Sequence, residues 1–282
     1  MATTAPTLSD VYTFYSIDRR IFTRLVMFLT RDPAQSLLVM AFWLCLEDMN
    51  FGSCITRKLT RLSNPTLNDV AEEAVQCLNC LELGTPPPLR NRSRELPLTS
   101  VIVEKRLSLR MFYENKFTMI CGIKAFLNHV CANAFADILA QFYPSQANFN
   151  YPLIIPGFPH PTFGSLAIIP RAPDYVFPCE GIWGWGLNIE APEDDRTIFL
   201  TFSRGYPVTE TEVRELFASY YGDNCVESVS MEPSPDSPDQ SLYARLVVRN
   251  IKTIDRVLGK GPIAKFKING KHVWARKFER RD

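Results

Sequence analysis

From Pro144 to Asp195 the sequence cannot sustain a regular backbone, and this break constrains the architecture on either side of it. The stretch is dense in proline and glycine (IIPGFPHPTFG, then RAPDYVFPCEGIWGWGLN) and shows no lasting hydrophobic period. Proline fixes φ and removes an N–H, which excludes helix interiors and central strands. A solvated linker would not carry so many Trp, Phe, Tyr and Ile side chains, each with a large apolar surface to hide. The expected structure is an irregular strap whose aromatics dock onto one or both neighbours. The chain thus divides into a segment 1–143, the strap 144–195 and a segment 196–282.

The first segment reads as an all-α helical bundle. Asp10–Tyr15 is a short helix, and after Asp18 the residues Ile21, Phe22, Leu25, Val26 and Leu29 recur at the spacing of one buried helical face. Asp32-Pro33 is a start signal, an N-cap acceptor followed by a proline whose missing N–H costs nothing there. The helix it opens, Ala34–Leu46, is apolar almost all round and belongs at the bundle centre; its apolar run, around Leu37 to Leu46, is too short to span a bilayer. Thr66 is a possible N-cap for a helix to Glu82, and Gly84–Pro97 reads as a loop. A long helical pattern covers Thr99–Phe142, with a break near Asn115.

The third segment alternates strand, helix, strand, strand, helix, strand. Strands are expected at Thr197–Phe202, Cys225–Met231, Ser241–Val248 and Lys271–Lys277, the last after an Asn269-Gly270 turn. The first helix carries a capping box from Thr209 to Glu212 and buries Val213, Leu216, Phe217 and Tyr220. The second is capped by Asn250, turns Ile251, Ile254, Val257 and Leu258 inward, and stops at Gly259.

This ferredoxin-like βαββαβ order serves many functions, so motifs must narrow it. The hexapeptide Ile198–Ser203 resembles the first-strand motif of RNA-recognition-motif (RRM) domains, with Phe199 at the sheet-facing aromatic position. The octapeptide Ser241–Val248 resembles the third-strand motif, Tyr243 matching its first aromatic and Ala244 its small residue. Asn269-Gly270-Lys271-His272-Val273-Trp274-Ala275 looks like the opening of the family's fourth strand. With GYPVTETEVRELF and INGKHVWARK, the chain is also similar to plant-type single-RRM proteins of unassigned role. The likeness covers the last third of the chain. It departs where the octapeptide opens Ser-Leu instead of basic-Gly, and where Arg245 replaces the second aromatic.

The resemblance implies a protein that binds single-stranded RNA on the open sheet face, through Phe199, Tyr243, Arg245, Trp274 and Arg276, flanked by Lys271 and Lys277. Arg245 can replace the missing ring in part, because a guanidinium stacks on bases and pairs with phosphate. The helical segment would recruit a protein partner. The competing expectation is an RRM-fold protein-interaction module whose face is masked by the strap or by a partner. Trp274 fits either a base-stacking residue or an anchor for the strap.

Charge distribution agrees with a basic C-terminal surface. The net charge is +1, yet Lys260–Arg281 holds eight Lys/Arg against one acid, while Arg171–Asp195 holds one Arg against six acids. The opening MATTAPTLSD has neither the basic nor the apolar region of a signal peptide, and the eight cysteines follow no secreted-scaffold spacing. Nucleus or cytoplasm is the expected location, without membrane insertion. Cys77 and Cys80 have a metal-ligand spacing but lack a second pair. His129 and His160 have no nucleophile or carboxylate pattern nearby, and Gly181–Gly186 lacks the Lys-Ser/Thr ending of a phosphate loop. No catalytic residue, metal or cofactor is expected.

Overall fold

A computed structural model describes residues 5–88, 96–144, 151–177, 191–203, 207–234 and 237–279; the side chains of 233–240 are not among those described. Helices fill the N-terminal part and strands the C-terminal part. The chain forms two compact units, Met1–Glu82 with Asn91–Leu109 and Gly122–Ile189, and Leu83–Arg90 with Arg110–Cys121 and Glu190–Asp282. These units cut across the sequence boundaries at 143/144 and 195/196.

The first unit contains α1 (Leu8–Phe14), α2 (Ser16–Thr23, continued by a π turn Arg24–Phe28), α3 (Pro33–Asp48), α4 (Ile55–Leu59), α5 (Asn64–Glu82) and α6 (Pro97–Val103). Asp32 caps α3 by accepting the Gln35 N–H at 2.8 Å, with Pro33 at the first helical position, as its sequence requires. Ten consecutive α3 residues from Leu37 to Leu46 are buried, so the all-round apolar helix does lie at the centre. Phe22 of α2 stacks on Phe135, ring centroids 4.4 Å apart. α5 begins earlier than expected: the Ser63 hydroxyl, not Thr66, takes the capping position, accepting the Thr66 N–H at 3.3 Å.

The single long helix expected over Thr99–Phe142 is a series of short ones: α6, then α7 (Leu109–Glu114), α8 (Lys116–Phe126, continued by a π turn Leu127–Cys131), α9 (Ala132–Ala134) and α10 (Ala136–Phe142). Glu104 ends α6 in the left-handed region, φ 58°, which helix periodicity cannot reveal. The break at Asn115 is present. The strap is irregular over its described part 151–177, where Leu153, Ile155, Phe163, Ile168 and Phe177 are buried and isolated bridges join Leu153 to Ile168 and Thr7 to Val176. That apolar payload belongs to the unit containing the central helices; Trp183 and Trp185 lie outside the described residues.

The second unit holds β1 (Thr197–Phe202), α11 (Glu210–Tyr221), β2 (Val226–Ser234), β3 (Ser237–Val248), α12 (Ile251–Leu258), β4 (Ile263–Ile268) and β5 (Lys271–Lys277). The sheet is antiparallel and five-stranded, in the order β2-β3-β1-β5-β4. Sequence periodicity misses β4. Asn269 (φ 48°) and Gly270 (φ 82°) form a two-residue turn with both φ values positive, the hairpin turn that matches strand twist and demands a strand on each side. The expected Glu232–Gln240 turn is shorter, because β2 runs on to Ser234 and β3 starts at Ser237.

Ile198, Leu200, Phe202, Leu246 and Val273 face α11 and α12, where they join Val213, Phe217 and Ile254 in one buried cluster. Each such side chain contributes roughly 1.5–3 kcal/mol on burial. Tyr220 does not: it is 61% exposed, and its ring lies edge-on to Phe266 of the strand that periodicity missed. The capping box of α11 is complete, Thr209 and Glu212 exchanging hydrogen bonds of 2.9 and 3.2 Å. At α12, the buried Asp255 carboxylate accepts the Phe117 and Thr118 N–H groups at 2.8 and 3.0 Å, and the Thr118 hydroxyl. This carboxylate caps the start of α8, whose first residues belong to the same unit.

Candidate functional site on the open face of the sheet

Strand alternation sends Ile198, Leu200 and Phe202 to the helices, so Phe199 and Thr201 must emerge on the opposite face. Register then fixes what surrounds them. In one row Glu232, Tyr243, Thr201, Trp274 and Lys265 lie side by side across β2, β3, β1, β5 and β4. In the next, about 7 Å along the strands, the same strands present Ser230, Arg245, Phe199, Arg276 and Ile263. His272 and Lys267 face each other beyond the first row. Thr197 and Val247 close the far end, both buried beside the turn Glu193–Arg196.

The rings are in contact. Phe199 and Tyr243 stack with centroids 5.6 Å apart and planes 24° from parallel. The Arg276 guanidinium sits 4.6 Å from the Phe199 centroid, a cation–π arrangement. His272 stacks on Trp274 at 5.9 Å. Phe199, Tyr243 and Trp274 are all half-buried, while Arg245, Arg276, Lys265 and Lys267 are exposed. Arg245 makes an ion pair of 3.2 Å with Glu232, but both side chains are well exposed, 49% and 36%. Such a surface pair is worth at most about 1 kcal/mol, so Arg245 can leave it for an anionic ligand at little cost.

Of the residues singled out by sequence, Phe199, Tyr243, Arg245, Trp274 and Arg276 share this face. Lys271 and Lys277 do not join them: on β5 they fall in phase with the core residues Val273 and Ala275, at the two ends of the strand. Lys271 Nζ donates to Glu212 Oε1 at 2.9 Å and to the Pro207 carbonyl at 2.6 Å. Those bonds, led by Lys271 and joined by the Thr209 N–H, hold the Glu212 carboxyl down at about 2. Lys277 Nζ donates to the carbonyls of Asp194 and Thr197. Both lysines thus brace the domain's framework. Lys265 and Lys267 take the place expected of them as cations beside the rings. The signal was present in Ile263–Ile268, whose alternation before Asn-Gly is that of a hairpin's first strand.

Chemically the face offers two stacked rings, an indole and four cations against one carboxylate. It suits a ligand with flat apolar surfaces and negative charge. Among the described residues no cluster of three His, Cys, Asp or Glu side chains is placed to hold a metal ion. Among the described residues no helix is by itself long and apolar enough to cross a membrane. No family model, curated protein or solved structure matches this chain.

Proposed function

We propose that the C-terminal unit is an RRM domain that binds single-stranded RNA on its open face, and that the protein is non-catalytic. The observation that carries this reading is the Phe199–Tyr243 stack at the middle of the sheet, bordered by Arg245 and Arg276. The two strands that resemble the family's motifs, β1 and β3, are neighbours, and their two motif aromatics meet. RRM sheets bind by stacking two or three bases on such rings, each worth roughly 1–3 kcal/mol. Trp274, across Thr201 from Tyr243, supplies a third ring where the octapeptide has lost one to Arg245. Guanidinium and ammonium groups on either side would hold phosphates, giving affinity with little sequence choice. The helical unit would recruit a protein partner, and the protein would act in the nucleus or cytoplasm.

A second reading is a protein-interaction module with its face covered. It draws on the half-burial of all three rings. Titration of the intact protein with a fluorescent, randomised short RNA pool separates the two. Salt-dependent binding that Phe199→Ala with Tyr243→Ala weakens at least thirtyfold, equivalent to about 2 kcal/mol, supports RNA recognition. Absence of binding at low salt refutes it.

A further inference from the structure

The helical unit carries an array of cations that the sheet's function does not use. Asp18 of α2 faces Thr56 of α4, and further on the Arg24 guanidinium donates to the carbonyls of Thr60 and Leu62, at 3.3 and 2.7 Å. The two elements therefore run side by side in the same direction, residue 18 beside 56 and residue 24 beside 60–62. Arg20 and Arg24 are four residues apart on α2 and its continuation, and Arg57 and Arg61 are four apart on α4 and the turn that follows it. Arg20, Arg57 and Arg61 are exposed, and among the described residues none of them has an acidic partner.

Two acids border α4: Glu47 Oε2 lies 3.5 Å from the Thr56 backbone nitrogen, and the exposed Glu104 pairs with Lys58 at 2.7 Å. The one acid of α2, Asp18, is buried, and no Asp or Glu occurs from Met49 to Asn68. Arg24 is different in kind: its Nε donates to Asn64 at 2.9 Å, so its guanidinium ties the elements together. Just past it, Met27 and Phe28 are 37% and 69% exposed. A solvated helical face ordinarily mixes signs, because like charges four residues apart repel. A polyanionic ligand would supply Arg20, Arg57 and Arg61 with the acidic partners they lack among the described residues.

We propose that the Arg20–Arg24–Arg57–Arg61 array is a second nucleic-acid contact, which grips RNA phosphates independently of the stacking face on the sheet. The array's preference for a polyanion stands by itself, whereas the choice of RNA rests on the function proposed above. A guanidinium fork pairs with phosphate in two parallel bonds, and exposed Phe28 gives a base a flat surface.

The test uses the intact protein and the fluorescent randomised RNA pool over a salt series, comparing wild type with R20Q/R57Q/R61Q, R20K/R57K/R61K and F199A/Y243A. Each phosphate contact on a single strand contributes ~0.7 to the slope of log affinity against log salt. The glutamine variant is expected to lower that slope by about 2 and to lose affinity most at low salt. The lysine variant keeps the slope. F199A/Y243A loses affinity yet keeps the arginine-dependent slope. A glutamine variant with the wild-type slope overturns the inference and leaves the sheet reading intact. If F199A/Y243A binds like wild type while the glutamine variant does not, the sheet reading fails and the array stands. Wild type that ignores RNA but binds phosphatidylserine vesicles through these arginines overturns the RNA assignment in favour of a membrane. Failure to bind either probe overturns both.

Discussion

The cap that Asp255 places on α8 sets two opposing effects against each other. Its carboxylate accepts from two backbone N–H groups and one hydroxyl, which favours the charged form. Burial opposes this and prevails, pushing the carboxyl up from 3.8 to about 6. Because the folded value lies above the unfolded one, the unfolded chain loses this proton first as pH rises. Stability linked to Asp255 is therefore complete below about pH 4 and declines as pH climbs through about 6. A shift of about two units corresponds to roughly 3 kcal/mol. Asp255→Asn removes the titration but also turns an amide N–H toward a backbone donor, so the variant is destabilised throughout. The difference between wild type and variant, measured by urea unfolding of the intact protein at pH 4.5 and 7.5, should shrink by roughly 2–3 kcal/mol at the higher pH. A difference that instead grows with pH would mean that the three donors outweigh burial, and the reasoning would be wrong.

Asp18 is a purer case: it is buried, its Oδ1 has no hydrogen-bond partner, and burial followed by the charge of Glu47 raises its carboxyl to about 7. By the same linkage its ionisation costs stability as pH rises through 7, so Asp18→Asn should stabilise the protein at pH 8 by roughly 2–4 kcal/mol and change little at pH 4, measured by urea unfolding. At Gly122, a Cβ would stand 2.5 Å from Cys45 Sγ. Gly122→Ala should cost roughly 1–3 kcal/mol in wild type; in a Cys45→Ala background it should cost nothing or stabilise by up to about 1 kcal/mol, a coupling that thermal melts of the four proteins would reveal. Gly270→Ala forces a side chain onto φ 82°. It should cost about 1 kcal/mol or more in a melt, and weaken RNA binding by displacing Lys265 and Lys267.

What the sequence revealed follows from how locally each feature is determined. The α3 start at Asp32-Pro33 and the capping box at Thr209 need only a few neighbouring residues, and both are where the pattern puts them. Phe199 and Tyr243 could be placed on one face because alternation is a local rule; their stacking depends on the β1–β3 register, which pairs Thr201 with Tyr243 and leaves Phe199 diagonal. The missed strand β4 shows the reverse. Its lysines lower its apparent strand character, although the turn after it required a partner for β5. Tyr220 fits the buried helical spacing, but Phe266 and Tyr221 hold its ring at the surface. The Asp255 cap joins residues more than 130 positions apart, beyond any local pattern.

Ultraviolet crosslinking of the intact protein to a short single-stranded RNA, with peptide sequencing by mass spectrometry, tests the central claim most directly. Stacked bases crosslink to the rings they cover, so the account predicts adducts on Phe199, Tyr243 and Trp274, lost when excess unlabelled RNA competes. Binding that crosslinks elsewhere and leaves all three rings unmodified would contradict it.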